Sequence, residues 1–86
     1  MEKFKDFEAW LHGRKDISRG TLVGNLEIID KSLNVKDFEK IKSISILQRL
    51  IKEFKTMKPF LHRSKVEKTS ILSSFALYIM FIEGKD

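Results

Sequence analysis

Apolar residues recur along this chain at spacings of three and four, and no strand-like alternation survives anywhere in it. The longest such pattern is the last, Lys65 to Glu83, reading KVEKTSILSSFALYIMFIE. On a helix, Ile71, Leu72, Tyr78, Ile79 and Ile82 fall within about 60° of Phe75 and form one broad apolar face. Leu77, Met80 and Phe81 point the other way, beside Ser70, Ser73 and Ser74. A helix apolar nearly all round is normally buried on more than one side, so this segment is expected to be the central post of a small domain. Ser64 and Glu67 have the S-x-x-E spacing of a capping box at its start, and Gly84 is placed to close it.

Shorter patterns precede it. Phe4, Phe7, Trp10 and Leu11 predict a first helix from about Glu2 to His12, ended by Gly13 with Arg14 and Lys15 just beyond. A second helix opens at Asp16-Ile17-Ser18, where Asp16 or Ser18 can accept the orphan amide protons of the first turn. Leu22, Leu26, Ile29 and Leu33 are its buried stripe and Asn34 its stop. Gly20 and Gly24 each weaken that helix by about 1 kcal/mol relative to alanine. Gly24 is also a place where another helix can approach closely.

A short helix is expected over Lys36–Ile41, capped by Asn34 or Asp37, then a break at Lys42-Ser43 and a longer helix over Ile44–Met57. One continuous helix fits the periodicity almost as well. Pro59, the only proline, ends this stretch and biases Lys58 away from helical backbone. Phe60-Leu61-His62-Arg63 is then read as a loop with an apolar anchor. These elements make an all-α fold, one small orthogonal bundle of four to five helices.

Length and composition narrow the function. Eighty-six residues make one domain with a modest core. The chain has no cysteine, which removes disulfides, Fe–S clusters, thiolate zinc sites and cysteine nucleophiles. The charged opening MEKFKDFEAW is no secretory signal, and the weakly charged run from Thr69 to Ile82 is too short to span a bilayer. A cytoplasmic location away from membranes is the expectation.

The net charge of +5 is unevenly placed: residues 1–43 carry nine Lys/Arg against eight Asp/Glu, and residues 44–86 carry eight against four. Such an excess either faces a polyanion or is a solvated lysine-rich surface.

Catalytic chemistry is not indicated. His12 and His62 lie far apart and fit no metal-ligand spacing. Glu27 and Asp30 share a helix face but sit among positions expected to be exposed. Gly20-Thr21-Leu22-Val23-Gly24 lacks the lysine and spacing of a phosphate loop, and no nucleophile elbow or Ser/His/Asp arrangement occurs. No cofactor, metal or small-molecule substrate is expected, and the chain reads as a non-enzyme.

Binding remains. Arg14, Lys15 and Arg19 cluster around the first turn of the chain, and Lys58, His62, Arg63, Lys65 and Lys68 around the last. The second cluster leads into a helix N-terminus, whose free amides also favour phosphate oxygens. No helix face mixing Arg, Asn and Gln for base reading is evident. DNA binding of this kind is expected to be weakly sequence-specific and strongly salt-dependent. A different reading takes Leu77, Met80 and Phe81 as a second apolar face that contacts a protein: a second copy, a following domain, or an enzyme inhibited by a phage protein.

FKDFEAWL, a glycine-containing basic turn, and DISRGTLVGNLEIIDKSL together resemble the opening of the core-binding (SAM-like) domain of tyrosine recombinases. Val35-Lys36-Asp37-Phe38 is similar to that family's short acidic helix, and Ser64–Phe81 to its last helix, basic at the start and aromatic later. The run Ser73 to Glu83 is also similar to the final helix of a domain that precedes the nuclease or ATPase domains of some restriction enzymes.

The resemblance covers nearly the whole chain through short motifs. It implies a four- or five-helix module contacting DNA through its second and last helices. Ser18, Arg19 and Thr21 would then lie at the DNA-facing start of the second, and Arg63, Ser64, Lys65, Lys68 and Thr69 at that of the last. Two departures stand out: Gly24-Asn25 occupies a place where the recombinase pattern favours an aromatic, and the recombinase Arg, His and Tyr set is missing, so no strand cleavage is implied. Such a chain reads either as the N-terminal module of a longer protein or as a small phage or bacterial protein in its own right.

Overall fold

The computed structural model describes residues 4–11, 19–35 and 37–84. Five α-helices fill them: α1 (Lys5–Leu11), α2 (Arg19–Leu33), α3 (Ile44–Phe54), α4 (Lys58–Leu61) and α5 (Lys65–Glu83), with a 3₁₀ turn at Phe38–Lys40 between α2 and α3. No strand occurs among the described residues, and the fold is a small all-α bundle. The Cα radius of gyration is 12.3 Å, close to the ~12 Å of a folded chain of this length.

α5 is the central post. It packs most extensively on α2, then on α3 and α1, so it is covered from three directions. Its start is capped as its sequence implies: the Ser64 hydroxyl accepts from the Glu67 amide and the Glu67 carboxylate accepts from the Ser64 amide. Gly84 ends it in the left-handed region at φ 77°, where a Cβ would be strained.

The core is aromatic. The rings of Phe4, Phe7 and Phe38 surround Tyr78, with centroids 5.6, 5.2 and 6.0 Å from its own. Phe81 joins them at 5.5 Å from Phe7 and 5.7 Å from Trp10. Edge-to-face, tilted and offset-stacked pairs of this kind add about 0.5–1.5 kcal/mol each beyond their buried area. Leu11, Leu22, Leu26, Ile29, Leu47, Phe54, Phe60, Ile71 and Phe75 complete the interior.

Several boundaries differ from the periodicity. Helix α1 begins at Lys5, because Phe4 has φ 62° and lies buried against Phe38 and Tyr78. Burial of the ring outweighs the backbone preference of a bulky residue, and the helical path breaks there. Glu2, His12, Gly13 and the capping candidates Asp16 and Ser18 lie outside the described residues. Asn34 ends α2 as expected, with φ 53° and its amide donating to the Asp30 carbonyl.

The expected helix over 36–41 shrinks to the 3₁₀ turn, anchored by the buried Phe38; Asp37 sits at its N-cap position in left-handed backbone and makes no side-chain cap. The break at Lys42-Ser43 is real, and Ser43 caps α3 by accepting from the Ile46 amide. α3 stops at Phe54 rather than Met57.

Pro59 does not open a loop. Met57 is the extended residue, and Lys58-Pro59 form the first turn of α4, where the missing proline amide would have had no helical partner. Burial of Phe60 against Phe54, at 5.6 Å, holds that single turn in place.

Two further expectations give way to packing. Nothing lies within 4 Å of a Cβ built on Gly24, so no helix approaches there. Ser74, grouped by its angle with the polar side of α5, is fully buried, and Asp30 on α2, expected among exposed positions, is buried at 4% exposure.

Candidate nucleic-acid interface

The three-residue link between α3 and α4 and the short link between α4 and α5 bring the end of α3, all of α4 and the start of α5 to one corner of the molecule. Between Arg49 and Lys68 that stretch carries seven Lys/Arg against Glu53 and Glu67. Phe60 ties the corner together. Its ring meets Phe54 of α3 on one side and lies 5.6 Å beneath the Lys68 ammonium of α5.

Arg63 is the pivot of the site. Its Nε donates to the Pro59 carbonyl at 2.8 Å, and Nη1 lies 3.5 Å from Glu67 Oε2. Hydrogen bonds to Ser64, through its amide and then its hydroxyl, hold the Glu67 carboxyl below the usual carboxylate range, helped by the Arg63 charge. Arg63 and Glu67 together line two neighbouring depressions. One, of about 460 Å³, is completed by Lys58, Pro59 and His62. The other, of about 200 Å³, is completed by Thr21, Asn25, Ser70 and Ile71.

The structure therefore sets the start of α2 beside the start of α5: Thr21 and Arg63 face one hollow. Lys58, His62 and Lys65 are exposed, and Arg63 and Lys68 are half-buried. Arg14 and Lys15 lie outside the described residues, as does the side chain of Arg19, the first residue of α2. The helix start is less open to an anion than its position suggests. The capping box already engages the Ser64 and Glu67 amides, and the Glu67 carboxylate sits on that turn.

Asn25 is the residue that sequence reasoning passed over. Its side-chain amide donates to Ser70 Oγ at 3.1 Å and to Ser74 Oγ at 2.9 Å, and Ser74 Oγ donates in turn to the Ser70 carbonyl. Both amide protons are used, and the network joins α2 to α5 at the hollow. Its sequence signal was the odd polar residue at a position where the resemblance leads one to look for an aromatic.

The second apolar group is only half-covered. Leu77, Met80 and Phe81 are each half-buried, with the Phe81 ring tilted against those of Phe7, Trp10 and Tyr78. The large apolar side chains standing furthest into solvent are instead Val66 at 79% and Leu61 at 50%, both at the basic corner.

A further cavity of about 180 Å³ opens beside the aromatic cluster, bordered by Phe4, Glu39, Lys42 and Tyr78. There Glu39 Oε2 is buried without a hydrogen-bond partner, and burial, with the nearby Glu39 and Asp30 charges, pushes the Tyr78 hydroxyl up to about 12. No group of three or more His, Cys, Asp or Glu side chains able to hold a metal ion occurs among the described residues, and no described helix is long and apolar enough to cross a membrane.

No protein-family model, curated protein or solved structure matches the chain.

Proposed function

We propose that this chain is a non-catalytic, cytoplasmic DNA-binding module that grips the phosphate backbone of a duplex from the starts of α2 and α5. What supports the reading is one juxtaposition. Thr21 and Arg63 line the same hollow, next to a second one bordered by Lys58 and His62, at the corner where the excess positive charge gathers. A surface of this kind neutralises phosphates and releases counterions, so affinity falls steeply with salt and little of it depends on sequence. Lys58 and Lys65 are the exposed cations that would carry the contact, while Arg63 and Lys68 also hold the corner together.

Fluorescence anisotropy of a labelled duplex of about 25 base pairs, titrated at several salt concentrations, tests this. Micromolar or tighter binding with a steep negative salt slope is the expected result. Absence of binding at low salt overturns the proposal. It would turn attention to the protein-contact reading, which the half-exposure of Leu77, Met80 and Phe81 keeps in play.

A further inference from the structure

From the outer face of α3 we infer that this helix enters the major groove of the bound duplex and contacts base edges through Gln48 and Arg49. The inference rests on the DNA-binding reading, adds a second contact surface to it, and departs from the sequence expectation that no helix face mixes Arg with Gln for base reading.

α3 buries Leu47 and Phe54 fully and Ile44, Leu50 and Ile51 in part, which turns Ser45, Gln48, Arg49 and Lys52 outward. These four occur at i, i+3, i+4 and i+7, so they form one straight stripe. All four are exposed, with the exposed Glu53, one turn beyond Arg49, bordering the stripe on that side. It runs on through Lys55 and Thr56, also exposed, towards Lys58 in the next turn of chain.

The side chains of this stripe differ from those at the start of α5 in one respect. Arg63 is held by Pro59 and Glu67, and Lys68 by the Phe60 ring. Gln48, Arg49 and Lys52 carry no side-chain hydrogen bond or ion pair among the described residues. Their donors are open to a partner.

The chemistry matches a duplex groove. A helix of 11 residues is about 16 Å long and of a width that the major groove admits. Arg pairs through two parallel hydrogen bonds with guanine O6 and N7, and Gln with adenine N6 and N7. Gln48 and Arg49, consecutive and so about 100° apart on the helix, stand at the two edges of the stripe, from which each would read its own base. Lys52, Lys55 and Lys58 follow towards the corner, where a flanking phosphate strand would pass. The Phe54–Phe60 contact ties the end of α3, and so the stripe, to α4 at the corner.

The test is enrichment of a random duplex library on the intact chain, followed by anisotropy with the enriched and a scrambled duplex. The wild type is expected to favour the enriched duplex by about five- to a hundredfold, the range of one or two bidentate base contacts. Gln48→Ala with Arg49→Ala should bring that ratio close to one by weakening the enriched duplex more than the scrambled one, with the helical circular dichroism unchanged. A ratio that survives the double substitution overturns the inference, as does salt-dependent binding without enrichment, and either leaves the backbone-binding proposal standing. Binding to a polyglutamate of matched length as tight as to duplex, or no duplex binding at low salt, overturns both.

Discussion

The side-chain amide of Asn25 on α2 donates to the hydroxyl of Ser74 on α5 at 2.9 Å, across 49 residues of sequence. Ser74 is fully buried, so its hydroxyl needs partners on both its donor and acceptor sides. It has them in the Ser70 carbonyl and Asn25. A small polar network thus lies at the most extensive helix contact of the bundle, with Asn25 and Ser70 lining the hollow between the two helix starts.

Breaking that network should be felt in stability. Asn25→Ala is expected to cost about 1–3 kcal/mol, because the fully buried Ser74 hydroxyl loses its donor. Ser74→Ala should cost a similar amount by stranding an Asn25 proton. The double variant should cost less than the sum, since each single change already disables the same bond. Urea denaturation of the four proteins measures the coupling, and strict additivity would mean that the network contributes nothing as a unit.

Gly24 invites a change in the opposite sense. It lies within α2 with no φ in the left-handed region and with open space where a Cβ would be. Gly24→Ala should therefore stabilise the chain by about 0.5–1 kcal/mol through helix propensity and reduced freedom of the unfolded state. A rise in melting temperature of a few degrees is the expected reading.

The α5 cap carries a pH dependence. The Glu67 carboxyl titrates below its ordinary value of 4.5 in the folded chain because its anion accepts from Ser64 and faces Arg63. The unfolded chain binds the proton more readily. The stabilisation is therefore present above about pH 4.5 and lost as pH falls through the lower folded value. Glu67→Gln keeps the reciprocal cap geometry and should flatten the acid limb of the stability curve. Ser64→Ala should cost about 1 kcal/mol at neutral pH. Thermal melts between about pH 3 and 7 check both.

Tyr78 should report the core at the other end of the scale. It is the only tyrosine, so absorbance of the tyrosinate is unambiguous. Its hydroxyl is expected to ionise at about 12 rather than at the ordinary 10.0. The folded chain then holds a proton that the unfolded one releases, and stability declines as pH rises above 10.0. Titration near the ordinary value in the folded state would contradict its burial.

Lys58→Ala and Lys65→Ala separate charge from scaffold. Both side chains are exposed, so neither change should move the melting temperature by more than a degree or two. Each should reduce the slope of log affinity against log salt by about 0.9 for every phosphate no longer neutralised. Arg63→Ala should lower stability as well as affinity, because it removes the bond to the Pro59 carbonyl.

The sequence by itself determined the all-α class, the α2 stop at Asn34 and the Ser64–Glu67 cap and Gly84 end of α5, while it left the break at Ser43 open against one continuous helix. Each is set by interactions within a few residues, which single-chain spacing records directly. The basic bias of residues 49–68 was legible in the same way, as charge needs no fold to be counted. Tertiary structure alone decided the rest. Phe4 leaves the helical region because the rings of Phe38 and Tyr78 offer it a buried site, and the Phe54 contact makes a helical turn of Lys58–Leu61. Ser74 is buried because Asn25, 49 residues away, completes its hydrogen bonds. Local spacing says which side chains share a face. Which face meets another, and whether a polar group on it finds its partner, depends on contacts distant in sequence that no local pattern encodes.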